Sequence, residues 1–379
     1  METGRQQMNL ELSTHIREHI RKHGAMSFRD FMETALYHPE LGYYMRSREK
    51  IGQAGDFYTS SCLGPVFGAM IAKQLAQMWE LSGESEFTVV EFGAGTGMLC
   101  QDILDYFRDY TTRYGQLSYV IIEKSPVMRE KERALLPEKV CWHDSLETLG
   151  PFTGCVLSNE LLDNFAVHQV VMQDELMEVF VDDRGGLVEI LRPAASDLKD
   201  YFAGLEVQLP EGHRSEINLE ALDWLRQVSC YIQKGFVITI DYGYLSGDLY
   251  SACRSRGTLL CYNRHRVNEN FFMDIGCQDI TSHVNFSALR NRGREFGLNC
   301  CGLTTQAEFL LALNFKDYLR SQKTKDADVL QLAMQEARMT RTLLIDMGSK
   351  FKVLIQHKGM QPVTLTGLTS FPKHFSPIT

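Results

Sequence analysis

Residues 88–97 read Thr-Val-Val-Glu-Phe-Gly-Ala-Gly-Thr-Gly, an apolar run that ends in an acid and is followed by three glycines at alternate positions. The apolar run is typical of a buried parallel strand. Glycine permits a tight turn in which the backbone can approach a ligand closely. Apolar residues then recur at helical spacing up to Phe107, which predicts a helix. Strand, glycine turn and helix together predict the first unit of a nucleotide-binding α/β domain.

The spacing of the glycines bears on which ligand this turn binds. A dinucleotide site has glycine at the first, third and sixth positions, and here Met98 occupies the sixth. An NAD-dependent dehydrogenase is therefore disfavoured. The pattern resembles the first motif of S-adenosylmethionine-dependent methyltransferases, so we expect Glu91, Gly93, Gly95 and Gly97 to belong to a cofactor site. A tight turn without a ligand is the alternative.

Acids also follow the next two predicted strands. Glu123 ends the second strand, where a carboxylate can accept hydrogen bonds from the hydroxyl groups of a ribose. Asp144 and Ser145 follow the third strand, and we expect them beside the adenine, with Asp144 accepting from its amino group. A surface salt bridge for Glu123 and a helix N-cap for Asp144 or Ser145 are the alternatives.

The fourth predicted strand ends in Asn159-Glu160-Leu161-Leu162-Asp163, at the position of the acceptor motif of class I methyltransferases. The Pro-Pro-aromatic segment with which nucleic-acid methyltransferases hold a base is absent. Two carboxylates and an amide suit a cationic acceptor, because a guanidinium pairs with a carboxylate through two hydrogen bonds. We expect Glu160, with Asp163, to hold that cation and to receive the released proton. An acid pair that caps the next helix is the alternative.

An earlier loop carries Gly55-Asp56-Phe57-Tyr58-Thr59. Asp56 is a candidate for orienting polar groups of the cofactor, because the preceding glycine allows close approach. From the spacing alone, a plain surface turn explains this segment equally well.

Composition limits the functional classes. The 379-residue chain is long enough for a core domain with a sizeable addition. Its net charge of −9 disfavours a nucleic-acid binder, which usually has a basic face. Ten cysteines without a Cys-x-x-Cys pair predict no metal site and reduced thiols. No apolar run approaches about 18 residues, and no targeting segment is visible, so we expect no membrane span and a cytoplasmic location.

Periodicity predicts the elements that position these residues. Strands are predicted at 87–92, 118–123, 139–142, 153–159 and 235–241, with helices near 97–109 and 126–136. Alternation between 168 and 192 predicts antiparallel strands that turn at Gly185-Gly186, followed by a helix at 219–232. Further helices are predicted from Thr305 to about 320 and over 326–346, and a closing hairpin at 351–357 and 363–366. Residues 243–300 are turn-rich and show no assignable period.

Taken together, these segments resemble the MidA-like family of methyltransferases, which includes a mitochondrial complex I assembly factor that methylates arginine. The resemblance covers most of the chain. It rests on motifs in this order: Met26-Ser27-Phe28, Tyr37-His38-Pro39 with Gly42-Tyr43-Tyr44, Gly55-Asp56-Phe57-x-Thr59, Phe67-Gly68, the glycine turn, Glu123, Asn159-Glu160-Leu161-x-Asp163, Asp241-Tyr242-Gly243, Gly257-Thr258, His265 and Asp279-Ile280-Thr281-x-His283-Val284-x-Phe286.

The resemblance implies an α/β fold with a Rossmann-like class I methyltransferase core, N-terminal helices and an inserted helical and β substrate region. It implies S-adenosyl-L-methionine as cofactor, with the Asp56 loop lying over it, and a protein partner, an arginine-bearing subunit of a respiratory complex that is symmetrically dimethylated. We place N-terminal helices and loop at 1–80, the first part of the core at 81–167, inserted strands and helix at 168–232, a core strand at 233–243, a helical substrate region at 244–346 and closing strands at 347–379.

The chain departs from the family at several positions. Ser61-Cys62 stand where Pro-Glu is usual, Ala69 and Asn285 replace acids, and Asn164-Phe165-Ala166 replaces Ala-x-Pro. Lost acids motivate two alternatives to an arginine methyltransferase. One is a methyltransferase that acts on a small molecule, and the other is an assembly factor that keeps the fold without catalysis.

Overall fold

The computed structural model describes residues 2–47, 50, 55–56, 64–321, 334 and 337–369. Two of the sequence predictions fall wholly or partly outside these residues. One is the part of the Gly-Asp-Phe segment that follows Asp56, including Ser61 and Cys62. The other is the helix over 326–346, of which the described end is helical at 337–340 and continues as the π-helix Arg341–Asp346.

The strands are β1 (Met26–Ser27), β2 (Phe87–Phe92), β3 (Leu117–Ile122), β4 (Val140–His143), β5 (Phe152–Asn159), β6 (His168–Met172), β7 (Leu176–Asp183), β8 (Leu187–Pro193), β9 (Arg214–Ile217), β10 (Ile232–Tyr244), β11 (Leu260–Asn263), β12 (Arg266–Asn268), β13 (Asp279–Thr281), β14 (Val284–Asn285), β15 (Asn299–Thr305) and β16 (Phe351–Lys358). The helices are α1 (Glu2–His23), α2 (Phe28–Tyr37), α3 (Val66–Ser82), α4 (Met98–Tyr110), α5 (Pro126–Leu135), α6 (Leu146–Leu149), α7 (Ser196–Gly204), α8 (Leu219–Tyr231), α9 (Ser246–Leu249), α10 (Phe286–Glu295), α11 (Gln306–Ala312) and α12 (Phe315–Ser321).

The central sheet has the order β15-β16-β10-β5-β2-β3-β4, with β14 pairing to β10. Strands β10, β5, β2, β3 and β4 run parallel, whereas β16 is antiparallel to both β10 and β15. The order along the chain reverses between β2 and β5, which is where open α/β sheets bind their ligands. The five strands predicted from the sequence for this sheet are confirmed, and β10 is longer at both ends than expected.

Two glycines allow the middle of this sheet to close. A Cβ atom on Gly154 of β5 would approach Thr88 O of β2 to 1.9 Å. A Cβ atom on Gly235 of β10, where φ is 142°, would approach Gly154 O to 1.8 Å. Only glycine fits at either position, because the backbones of β2, β5 and β10 pass too closely for a side chain.

Helices cover both faces of the central sheet. Alternate residues of each strand point to opposite faces, so Val89 packs under α3 and α4 while Val90 packs under α8 and α10. Helices α11 and α12 complete the first face through Phe309 and Phe315. Both faces are therefore apolar, and the acids of the parallel strands, Glu91 and Asp241, lie toward the carboxyl ends.

A second sheet has the order β1-β7-β6-β9, with β8 pairing to β7. The predicted turn at Gly185-Gly186 joins β7 to β8. Helices α1 and α2 bury Leu12, Ile16 and Phe31 against this sheet and against the small sheet β12-β11-β13. The N-terminal helices are thereby fixed beside the carboxyl edge of the central sheet. Among the described helices, none is long and apolar enough to span a bilayer.

Two predicted elements are wrong. The closing hairpin does not form, because residues 363–365 are not a strand and β16 pairs with β10 and β15 instead. The side chains of Gln77 and Gln74 of α3 accept from the backbone N–H groups of Thr366 and Gly367, both at 2.9 Å, in place of a neighbouring strand. The helix from Thr305 also stops early, since Asn314 has a φ of 62° between α11 and α12.

Candidate functional site

A cavity of about 780 Å³ opens at the carboxyl ends of β2, β3, β5 and β10. Side chains from the small sheet, α8 and the segment after the π-helix complete its wall. The predicted site residues that line it are Glu91, Gly93, Gly95, Glu123, Asp144, Ser145, Asn159, Glu160 and Asp163. The structure therefore brings together in one cavity the residues predicted to bind cofactor and those predicted to bind acceptor.

The glycine turn forms the floor of the cavity. Gly93, Gly95 and Gly97 have φ values of 64°, 59° and 79°, a region that favours glycine. A Cβ atom on Gly93 would approach the Leu161 side chain to 2.9 Å. Gly97 precedes α4 without a side-chain cap, so the first N–H groups of that helix have no side-chain acceptor from the cap residue. Gly97 itself is not among the described residues that line the cavity.

Glu91 is buried beneath this turn. Its Oε2 accepts a hydrogen bond from the Tyr119 hydroxyl at 2.7 Å. Burial raises the pKa of Glu91 to about 7, and the hydrogen bond from Tyr119 lowers it only in part. Glu91 thus supports the glycine turn from below and lines the cavity with part of its side chain.

Glu123 faces the cavity and not bulk solvent. Its side chain is 8% exposed, and its Oε1 accepts from the backbone N–H of Ser125 at 2.6 Å. Burial raises the pKa of Glu123, and the hydrogen bond from Ser125 opposes that rise. One carboxylate oxygen is held by the backbone, and the group as a whole can accept further hydrogen bonds from a ligand.

Asp144 and Ser145 lie at the rim beside Glu123. The Asp144 side chain is 79% exposed, and its Oδ1 pairs with Nη1 of Arg129 at 2.8 Å. Ser145 is the N-cap residue of α6, but its side chain makes no capping hydrogen bond. Both residues are consequently available to a ligand that reaches this end of the cavity.

Glu160 has a φ of 54°, a left-handed conformation that is uncommon for a residue with a side chain. Its N–H donates to Ile240 O at 2.9 Å, and its Oε1 accepts from Asn159 Nδ2 at 3.3 Å. The Asn159 Oδ1 atom is buried without a hydrogen-bond partner among the described residues. A buried amide oxygen of this kind calls for an explanation such as a bound ligand.

Asp163 is buried deeper in the same end of the cavity. It accepts from the Tyr242 hydroxyl and from Asn164 Nδ2, the latter at 2.9 Å. Burial raises the pKa of Asp163, because the charged carboxylate has lost its hydration and the hydrogen bonds that it accepts compensate for only part of that loss. Asp241 plays a structural part here, since its Oδ2 accepts from the backbone N–H groups of Leu162 and Asp163 at 3.0 and 3.3 Å.

Two lining residues did not emerge from the residue-by-residue reasoning. Asp279 is 2% exposed, and its Oδ1 accepts from the Tyr44 hydroxyl at 2.9 Å. Burial raises the pKa of Asp279, and repulsion from Asp163 adds to that rise. His283 lies on the same wall. Both belong to the motif that begins at Asp279, which was the only sequence signal for them.

The structure places Asp56 away from the cavity. Its side chain is fully buried, with Oδ2 accepting from the Tyr43 hydroxyl at 2.8 Å and Oδ1 accepting from the backbone N–H of Arg264 at 2.6 Å. Asp56 therefore fixes the turn between β11 and β12, and it is not among the described residues that line the cavity. Its predicted role over the cofactor stays a prediction.

Comparison with known proteins identifies the family. Residues 70–304 match a family model described as S-adenosyl-L-methionine-dependent methyltransferase, which is more than half of the chain. The chain belongs to this family. S-adenosyl-L-methionine is its cofactor, and the Rossmann-like fold class expected from the sequence is confirmed.

Individual relatives agree with this result. A protein from Burkholderia thailandensis, crystallised bound to S-adenosylhomocysteine, superimposes with a TM-score of 0.88 at 32% identity over 98% of both chains. The chain is also 25% identical to the protein arginine methyltransferase NDUFAF7 homolog of Drosophila melanogaster, over 92% of this chain and 85% of that protein. The Bos taurus protein arginine methyltransferase NDUFAF7 is 25% identical over 90% of this chain and 82% of its own length.

The residues of this methyltransferase fit its cofactor. Any side chain at position 93 would close the space above Gly93. The carboxylate of Glu123 can accept hydrogen bonds from the ribose hydroxyls. The uncapped start of α4 suits the carboxylate of the cofactor's amino-acid part. An apolar wall suits the adenine and is formed by Ile122, Met128 and Leu146. When bound, S-adenosyl-L-methionine supplies an electrophilic methyl group on sulfur, and the chain must orient the acceptor toward it and exclude water.

Of the departures from the family pattern that the structure describes, Ala69, Ala166 and Asn285 do not line the cavity. Asn285 is the N-cap of α10, accepting from the N–H groups of Ser287 and Ala288 at 3.0 and 3.1 Å. Ala69 is buried in the core of α3. Asn164 does line the cavity, where its Oδ1 accepts from the Tyr44 hydroxyl at 2.8 Å. Because Asn285 and Ala69 have structural positions, their loss of an acid gives no support to a small-molecule acceptor.

Proposed function

We propose that this methyltransferase acts on an arginine side chain of a protein. Relatives that cover most of the chain are named protein arginine methyltransferases, which supports this acceptor class. The carboxyl side chains that line the cavity far outnumber its lysines, Lys124 and Lys350. An acidic cavity attracts a cation and disfavours an anionic acceptor.

One observation carries the proposal. Asp163 and Asp279 are both almost fully buried, both line the acceptor end of the cavity, and burial raises the pKa of each. Buried carboxyl groups without a cation are costly, and a guanidinium would lower that cost by pairing with them. The acceptor end is thus suited to a cation that pairs with carboxyl groups through two parallel hydrogen bonds.

In this proposal Glu160, Asp163 and Asn159 hold the acceptor. Glu160 compensates the charge of the guanidinium and fixes one of its nitrogens, while Asp163 is itself oriented by Tyr242. Asn159 offers its unpartnered Oδ1 to an N–H group of the ligand. Alignment of nucleophile and methyl carbon provides a large part of the acceleration in such a transfer. The proposal also includes symmetric dimethylation of an arginine in a respiratory-complex subunit as the reaction. It further includes a cytoplasmic location for the protein.

The test is to identify the methylated residue. Proteins from cells that lack this chain are incubated with the purified methyltransferase and isotope-labelled S-adenosyl-L-methionine, and labelled peptides are sequenced by mass spectrometry. We expect the label on arginine, and on a respiratory-complex subunit as symmetric dimethylarginine. Label on a small molecule, or on a residue other than arginine, would refute the proposal.

A further inference from the structure

His283 occupies an unusual position on the acceptor wall. It lies between β13 and β14, where its backbone N–H donates to Oγ1 of Thr258 at 3.0 Å. Its ring packs edge-on against Tyr242 and at a tilt against Tyr244, with centroids 5.2 and 5.4 Å apart. The neighbouring Ser282 N–H donates to Asp163 O at 3.0 Å, so this segment is tied to the turn that carries the acceptor carboxylates.

The imidazole is neutral in this setting. Burial, together with the positive charges of Arg254 and Lys350, lowers the pKa of His283 to about 4. The titratable groups in contact with the ring are the phenols Tyr242 and Tyr244. The Nδ1 atom is buried without a hydrogen-bond partner among the described residues. His283 is therefore a proton acceptor that carries no charge in a wall otherwise rich in carboxyl groups.

Resting on the proposed arginine acceptor, we infer that His283 is the catalytic residue that takes the proton released during methyl transfer. The guanidinium nitrogen forms a bond to the methyl carbon, the carbon–sulfur bond breaks with its electron pair staying on sulfur, and the N–H proton moves to Nε2 of His283. The proton then leaves for solvent, and the acceptor keeps one positive charge. This assignment differs from the expectation that Glu160 receives the proton.

Charge balance favours the imidazole over the carboxylate. The acceptor is a cation before and after transfer, so a carboxylate that took the proton would lose the charge that holds the product in place. A neutral imidazole can take the proton while Glu160 and Asp163 stay available to compensate the guanidinium. Attack by the nitrogen also makes its proton strongly acidic, so a weak base is sufficient at that moment.

The chain offers a matched control for a substitution. His357 of β16 is buried, whereas His283 is partly exposed, but His357 also has an Nδ1 atom without a hydrogen-bond partner among the described residues, and burial also lowers its pKa. It is not among the described residues that line the cavity. His283→Gln and His357→Gln therefore remove the same kind of side chain from a similar environment, and only the first removes it from the cavity.

Turnover, acceptor KM and the dissociation constant for S-adenosylhomocysteine are measured for both variants and the wild-type protein on an arginine-containing acceptor. We expect His283→Gln to lower kcat about 100-fold or more with KM and the dissociation constant nearly unchanged. Its residual rate should rise with pH between pH 6 and 8, because hydroxide, whose concentration increases with pH, must then take the proton, whereas the wild-type rate stays level. His357→Gln should match the wild-type protein. Wild-type kcat in His283→Gln would overturn the inference and leave the proposed function intact.

A second measurement needs no variant. The ring nitrogens of His283 are followed by NMR in the wild-type protein bound to S-adenosylhomocysteine while ethylguanidinium is added. We expect the His283 signals to shift and those of His357 to stay in place, and absence of a His283 shift at saturation would overturn the inference. Failure of the proposed function has a different signature, since the wild-type protein would then methylate a residue other than arginine, and the role of His283 would fall with it.

Discussion

Glu160 combines a strained backbone with a position at the acceptor end of the cavity. Residues with side chains pay about 1–3 kcal/mol to adopt such conformations, which persist where the surrounding structure fixes them and which cluster at active sites. Here the hydrogen bond from Glu160 N–H to Ile240 O of β10 fixes the residue, which directly follows β5. The conformation directs the chain away from the sheet, so that the Glu160 side chain lines the cavity.

Glu160→Gln is expected to lower kcat by about 100-fold or more, because glutamine keeps the shape but loses the charge that holds the guanidinium. Binding of S-adenosylhomocysteine, measured by calorimetry, should stay within about twofold of wild type. The exposed Glu211 provides a charge-matched control, and Glu211→Gln should leave both quantities unchanged. Turnover that is unaffected by Glu160→Gln would remove Glu160 from the mechanism.

The substitution Glu123→Gln should instead weaken binding of the cofactor. Hydrogen bonds to a charged group contribute about 1.5–3 kcal/mol, so we expect the dissociation constant for S-adenosylhomocysteine to rise roughly 10- to 100-fold. Calorimetric titration of the variant beside Glu130→Gln, which changes an exposed acid of α5, gives the comparison. Equal affinities for the two variants would show that Glu123 does not bind the ribose.

Sequence reasoning found the strand-end acids but not all of the acceptor wall. Glu123 and Glu160 follow long apolar strands, and carboxyl ends of parallel strands converge on one edge of a sheet. Asp279 begins the three-residue strand β13, and His283 lies between β13 and the two-residue strand β14, and strands this short show no period. Their position depends on long-range packing against Asp163 and Tyr242, and local sequence does not encode it.

At the scale of elements, strands β2, β5 and β10 approach one another closely at Gly154 and Gly235. Gly235→Ala would force a Cβ atom against the backbone of β5, so we expect a loss of about 3 kcal/mol or more in the free energy of unfolding, or no folded protein. Denaturant unfolding measures this change. Gly186→Ala in the turn after β7 is the control, since its Cβ would meet nothing within 4 Å. Similar stabilities for the two variants would contradict the close approach.

Elements with a long, regular pattern were predictable, and those decided by tertiary contacts were not. Strand β2 is found at the predicted residues, and α5 and α8 end within one residue of expectation. Apolar and polar residues alternate in the segment Val363-Thr-Leu-Thr366 as they do in a strand. The backbone N–H of its last residue, Thr366, nevertheless donates to the side chain of Gln77 in α3. Alternation shows that a segment can pair, but a partner with a free edge must also be present.

At the scale of the whole molecule, buried acids make stability depend on pH. Burial raises the pKa of Glu91 to about 7 and that of Glu132 to about 8, from an ordinary value of 4.5 for both. Between about pH 5 and pH 8 the folded chain therefore binds more protons than the unfolded chain, and the free energy of unfolding falls as pH rises. Above pH 8 this stabilising contribution is lost.

We expect the melting temperature of the cofactor-free protein to decrease steadily from pH 5.5 to pH 8. Differential scanning fluorimetry over that range measures the decrease. Glu91→Gln should flatten the slope, because its amide does not titrate and can still accept from Tyr119. A melting temperature that rises with pH, or an unchanged slope in the variant, would show that Glu91 is ionised at neutral pH.

Strand β1 has a consequence for how the chain is made. Met26 and Ser27 pair with Val181 and Phe180, which are synthesised more than 150 residues later. The apolar faces of α1 and α2 consequently have no sheet to cover them until the polypeptide has grown past that point. During synthesis the nascent chain therefore exposes an apolar N-terminal segment. Binding of a chaperone in this interval would have its greatest effect on the yield of folded protein.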